Sequence, residues 1–126
     1  MTDLVPFELG DPRTELRRRL VGAVLDGSKT ATAALAADYE SEGEPIPCGG
    51  DRFVLHDVDE QPVAVVELTE VRVLPAREID LRFARDEGEG FESVEEWRLA
   101  HETFFQRPIE DETSIVAQRF RVVERL

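Results

Sequence analysis

Residues 52–73 read RFVLHDVDEQPVAVVELTEVRV. Arg52 to Asp57 alternates and carries Phe53 and Leu55, Val58 to Gln61 is polar, and Pro62 to Val73 is rich in Val. That pattern predicts two strands joined by a polar tip, and so short a tip makes the pair an antiparallel β-hairpin. The sequence on both sides changes period. Upstream, Asp11-Pro12 reads as an N-cap followed by Pro at the first helical position, with Leu16, Leu20, Val21, Val24 and Leu25 at helical spacing behind it. Gly27 supplies the stop. Ser28 to Ala37 is small and apolar and fits a strand or a short helix equally well by pattern. Tyr39 to Gly50 is acidic and rich in Pro and Gly, which predicts a loop closing in a turn at Gly49-Gly50-Asp51.

Downstream of the hairpin, Pro75 ends the second strand, Ala76 to Asp80 reads as a helical turn, and Leu81 to Asp86 continues as helix to the Glu87-Gly88-Glu89-Gly90 break. Ser93 with Glu96 forms a capping box for a helix from Val94 to about Phe105, with Trp97, Ala100, His101, Phe104 and Phe105 on one face. A last strand covers Ile115 to Val123. No repeat, linker or low-complexity segment interrupts the chain. The reading is a single α+β domain over residues 1–126, a small, mostly antiparallel curved sheet flanked by about three helices.

The 126 residues suffice for one core and leave no room for a second catalytic domain. An apolar share of 41% and a charged share of 34%, with seven Phe spread along the chain, exclude disorder over most of its length. No apolar run reaches the roughly 18–20 residues that span a bilayer, and the N-terminus lacks a signal-peptide pattern, so the expectation is a cytoplasmic protein without a membrane partner. Fifteen Lys plus Arg against twenty-eight Asp plus Glu give a net charge of −13, which argues against non-specific binding to duplex DNA. The single Cys48 excludes an internal disulfide, and with only His56 and His101 beside it no metal site and no cofactor is expected. Of the basic residues only Lys29 is Lys. In a chain that otherwise writes Arg, that residue draws notice.

Lys29 lies on a turn, Gly27-Ser28-Lys29-Thr30-Ala31-Thr32, that begins where a helix stops. It is either a solvated cation favoured by the helix dipole or part of a site. Lys29 and Thr32 lie together in a turn or helix but point to opposite faces in a regular strand. Glu87, between helices and beside Gly88, is placed to reach into a cleft as a proton carrier; the bland reading is a solvated acidic loop. His101 is a candidate base or a satisfied core histidine. Trp97 is core or a stacking platform. Arg119 and Arg121 alternate with Phe120 and face either a polyanion or acidic neighbours.

Taken together, Gly27-x-Lys29-x-x-Thr32, Glu67 in the second hairpin strand, the Glu87 to Gly90 run, Ser93-x-x-x-Trp97-Arg98-x-x-His101-x-x-Phe104-Phe105 and Arg119-Phe120-Arg121-Val122-Val123 resemble the ASCH domain family, in order and over nearly the whole chain. The resemblance implies a PUA-like fold, a small β-barrel with helices around it, and a cleft that binds RNA or a nucleotide. One small bacterial branch acts as an amidohydrolase on N4-acetylcytidine through a Lys, a Thr three residues on and a later Glu. These match Lys29, Thr32 and Glu87 as the expected catalytic set. Another branch is linked to cleavage of single-stranded RNA. The expected substrate contacts are Trp97, His101, Arg119, Arg121 and Glu67, and the expected partner is a nucleoside or single-stranded RNA. The alternative is an RNA-binding module without catalysis. Gln118 and Phe91 depart from the pattern, which commonly has an acidic residue and Asp there.

Overall fold

The computed structural model describes residues 4–126. The predicted hairpin is β3 (Arg52–His56) and β4 (Pro62–Pro75), paired antiparallel from Arg52 opposite Glu67 to His56 opposite Pro62. Strand β4 runs on past β3 because its far half has a second partner: β5 (Ser114–Arg125) lies antiparallel along it from Ala64–Arg125 to Pro75–Ser114. Two register shifts, at Val65/Val66 and Leu68/Glu70, interrupt this ladder, and such bulges increase local twist and bend the strands. Strand β2 (Ala31–Leu35) adds antiparallel to the free side of β5, and β1 (Val5–Pro6) adds parallel to β3. The result is a five-stranded mixed sheet in the order β1-β3-β4-β5-β2, whose two edge strands do not pair, so the barrel-like sheet stays open.

Each face of the sheet carries its own core, as strand alternation requires. Ile115 and Ala117 of β5 join Ala31, Leu74, Phe83 and Trp97 on one face. Phe120 joins Leu55, Val66, Leu68 and the helical Leu20 and Val24 in the other cluster.

The first helix, α1 (Glu15–Asp26), starts three residues later than an Asp11 cap predicts. Arg13 has φ 59°, a left-handed conformation that no helix contains, so Asp11 to Arg13 is a turn and Thr14 is the cap, its hydroxyl accepting from Arg17 N. Gly27 ends the helix at φ 88°, as expected. The ambiguous Ser28 to Ala37 resolves as β2 followed at once by α2 (Ala36–Glu42). Pairing with β5, which no local pattern reveals, selects the strand. Helix α2 also takes in Tyr39 to Glu42, so the predicted loop begins only at Gly43. After β4 come a 3-10 turn at Ala76–Glu78, then α3 (Leu81–Asp86) with its own cap Asp80, and α4 (Val94–Phe105) capped by Ser93. The described residues thus form four α-helices, where about three were expected. On α4 the buried spine is Trp97 and His101 with Phe105 half-buried, while Ala100 and Phe104 face solvent.

Leu55 is fully buried and Val73 is 52% exposed on the same hairpin. Urea denaturation should show Leu55→Ala losing about 2–5 kcal/mol. Val73→Ala should stay within about 0.5 kcal/mol of the parent.

Candidate active site

Three chain segments are tied together where α1 ends, β2 begins and α3 ends. Lys29 N donates to Ala23 O at 3.0 Å, and Thr30 N donates to Asp86 O at 2.8 Å. The first bond fixes the turn to α1, the second to α3. Glu87 is the C-cap of α3, and Gly88 follows at φ 73°. A Cβ on Gly88 would lie 2.6 Å from Ser28 O and 2.8 Å from both Lys29 N and Lys29 Cα. Only glycine permits so close a backbone approach.

This seam puts two charges out of reach of water. Lys29 is 2% exposed and Glu87 1%. The Lys29 amine donates to Ala31 O at 2.9 Å and to Glu87 O at 3.2 Å, and stands 3.6 Å from Glu87 Oε1. All three N–H bonds of the ammonium thus have an oxygen to point at. The carboxylate's second oxygen, Oε2, accepts from Trp97 Nε1. His101 Nε2 lies 3.2 Å from Oε2 and 3.3 Å from Oε1, and His101 Nδ1 lies 2.8 Å from Trp97 O. The imidazole stacks on Trp97 with centroids 4.3 Å apart, and Phe91 and Phe105 pack edgewise or tilted at 5.8 and 5.6 Å.

A carbonyl only accepts, so His101 Nδ1 carries a proton, and its Nε2 then faces a carboxylate. A second proton must lie between them, on the ring or on the acid. Burial pushes the Glu87 carboxyl up, but the hydrogen bond and charge of His101, with Lys29 and Trp97, outweigh it and hold the group below the usual carboxylate range. Burial pulls His101 down, yet the hydrogen bond and charge of Glu87, the Trp97 carbonyl and Glu89 raise it above the usual histidine range. Both shifts favour the shared proton on the ring over the acid.

The structure brings Lys29 and Glu87 together from opposite ends of a 58-residue separation. Trp97 and His101, expected to meet substrate, are turned toward Glu87 and nearly sealed from solvent. Thr32 stands opposite Gln118, so strand alternation directs it away from Ala31 and the core that holds Trp97. Among the described residues its hydroxyl makes no hydrogen bond to Lys29 or Glu87. Arg119 donates to Asp86 Oδ2 at 2.7 Å and lies over the Phe83 ring, next to the site but facing α3. Arg119 and Phe83 wall a depression of about 40 Å³ with Leu74 and Ala117 that does not reach Lys29. Arg121 and Arg52 both bind Glu67, at 2.9 and 3.0 Å, in a separate surface ladder, and these hydrogen bonds, Arg121's first, hold the Glu67 carboxyl below its usual range.

Gln118 is buried, and burial pushes the Tyr39 hydroxyl up, with Gln118 acting the other way. Glu87, Glu89 and His101 bring one ligand atom each within 4.8 Å of one another. A cation entering there must displace the His101 proton and stand beside the Lys29 ammonium. Sequence reasoning assigned no role to Gly88; a Gly between two acidic residues just after a helix was the signal available.

Gly88→Ala should cost stability through both φ and the backbone clash, by about 1–3 kcal/mol or more in a denaturation experiment. The linked shifts also set a pH profile. The lowered Glu87 contributes stability present above its unfolded value of about 4.3 and lost as pH falls through the folded value. The raised His101 contributes stability fully present below its unfolded value of about 6.5 and lost as pH rises through the folded value. Melting temperature should therefore plateau between about pH 4.5 and 6.5 and decline on the alkaline side, and His101→Gln should remove the His101 part of that decline.

Comparison with known proteins places this geometry in a family. The family model for the ASCH domain matches residues 8–124. Protein EF3133 of Enterococcus faecalis V583 superimposes with a TM-score of 0.81 at 29% identity, over 99% of this chain and 78% of that one. The ASCH domain of Lactobacillus crispatus JV V101 follows at TM-score 0.74 and 28% identity, over 84% of this chain and 71% of that one. The hypothetical protein PH0355 shares the fold, at TM-score 0.63 and 17% identity over 86% and 94% of the two chains. A search of curated proteins finds no match. With nearly its whole length covered by the family model, the chain belongs to the ASCH domain family.

Proposed function

We propose that the chain binds a nucleobase of a modified nucleoside or of single-stranded RNA, and that it hydrolyses the amide of N4-acylated cytosine nucleosides. The observation that carries this is the buried contact of Lys29 with Glu87. An enclosed ion pair is weak evidence of stability, since desolvation offsets much of the attraction, and perturbed, desolvated charges concentrate where chemistry is done. In this reading Lys29 stays charged and stabilises the oxyanion that forms when the amide carbonyl is attacked. Glu87 takes the proton that the Thr32 hydroxyl gives up as it attacks and passes it to the leaving amine as the C–N bond breaks, and water then hydrolyses the acyl ester left on Thr32. Thr32 is the proposed nucleophile; it lies on the edge strand β2 and on the face turned away from Trp97, so β2 has to shift for its hydroxyl and the Lys29 amine to meet one amide. The loop from Glu87 to Gly90 has to yield for the amine to meet substrate, and Gly90, which no neighbouring atom crowds, leaves room for it to do so.

A second reading, single-stranded RNA binding without turnover, is favoured by the enclosure of Lys29, whose amine already has its partners. Chromatographic turnover of N4-acetylcytidine and a panel of N4-acylated cytosines separates the two. Thr32→Ala and Glu87→Gln should each lower turnover at least about a hundredfold while binding changes little. Retained turnover in Thr32→Ala removes the nucleophile assignment. No turnover by folded parent protein, with RNA binding that weakens steeply with salt, selects the binding module.

A further inference from the structure

The Glu87 carboxylate meets only donors: Trp97 Nε1, His101 Nε2 and the Lys29 ammonium. His101 is the member of this set whose commitments are complete. One ring nitrogen faces Trp97 O and the other faces Glu87, so none remains for a ligand. Its ring is held on three sides by Trp97, Phe91 and Phe105. From this closure we infer that His101 is a positioning residue: it carries the proton that Glu87 gives up, and so holds that carboxylate ionised and aimed at Lys29. The inference rests on the proposed reading in which Glu87 is a working carboxylate.

The groups that face this unit are of both signs, with the two carboxylates nearest the ring. From the turn between α1 and β2 comes Lys29, from the loop after α3 come Glu87 and Glu89, and α1 contributes Arg19, whose guanidinium is 3.8 Å from Glu89. On α4 itself Glu102 is turned away, accepting from Ile109 N. Remove the His101 proton, and a ring lone pair faces a carboxylate across about 3 Å with burial keeping water from intervening. The carboxylate then either swings or takes up a proton, and in both cases its alignment on Lys29 is lost. Trp97 fixes the same geometry twice, by its indole N–H on Glu87 and by its carbonyl on the ring.

The test has two arms. In the first, the ring nitrogens of His101 are followed by NMR from pH 5 to 9 in the parent and in Glu87→Gln. The parent ring should stay doubly protonated above the ordinary histidine range, and the variant should titrate at least about one pH unit lower. If Glu87→Gln fails to fold, the parent spectrum decides alone, through the presence or absence of a second ring proton at neutral pH. A ring that titrates in the ordinary range, or does not respond to Glu87, overturns the inference.

The second arm measures N4-acetylcytidine turnover in His101→Gln, which keeps an N–H toward Glu87, and in His101→Phe, which keeps only the ring. His101→Phe should lose kcat about a hundredfold and His101→Gln about tenfold, both with KM within about twofold. The fall in rate at alkaline pH should vanish in both. A raised KM with kcat intact would make His101 a substrate contact and overturn its positioning role. Absence of turnover in the parent, with the NMR coupling intact, removes amide hydrolysis while the coupling still supports His101 as the residue that sets Glu87.

Discussion

A lysine and a glutamate facing each other out of contact with water set the terms for everything around them. Left unpartnered, either charge would cost several kcal/mol, so the contact persists only because the surrounding backbone holds both ends in register. The holding is done by main-chain bonds rather than by side-chain reach. Lys29 N on Ala23 O, Thr30 N on Asp86 O and the close pass of Gly88 over Ser28 weld the end of α1 to the end of α3. The remaining valences of the carboxylate are then filled from α4. This order matters: the seam brings the charges together, and Trp97 and His101 fix how they point.

The long β4–β5 ladder gives the seam a stiff base. It divides the apolar interior into two clusters on opposite faces, and the site lies where the edge strand β2 leaves one of them. A functional group on a loop is precise only if the loop leans on something rigid. Here the loop leans on a helix end, a strand edge and a buried tryptophan. Phe91 and Phe105 close the ring of packing around His101, so the departure at Phe91 has a physical use: an apolar side chain there shields the imidazolium–carboxylate pair from water.

The elements whose signals are local were legible in the sequence. The hairpin, the capped helix from Ser93 and the Gly27 stop depend on alternation, on a side-chain cap and on a left-handed glycine, and all stand where the residues place them. Elements chosen by a distant partner were not. Ala31 to Leu35 becomes a strand because β5 offers an edge, and Asp11-Pro12 loses the cap to Thr14 because the chain must turn first at Arg13. The site divides in the same way. The rarity of Lys and the position of Glu87 after a helix single out two residues, but their contact is a tertiary event across 58 positions. The strand at Thr32 decides what spacing alone left open, which of two faces that hydroxyl takes.

Charge bears on what the protein can receive. The chain carries −13, and the arginines placed by sequence to meet a polyanion are already paired: Arg119 with Asp86 and Arg121 with Glu67. A polyanion would have to break those pairs while approaching an acidic surface, and the attraction that dominates non-specific nucleic-acid binding is therefore weak here. A neutral nucleoside meets no such barrier. Its recognition can rest on the polar edge of a base and on the internal field of the Lys29–Glu87–His101 unit, where a low local dielectric makes each fixed charge count for more than in water. The same acidic exterior that discourages a phosphate backbone thus sets a smaller electrostatic barrier for a small neutral ligand than for a long polyanion.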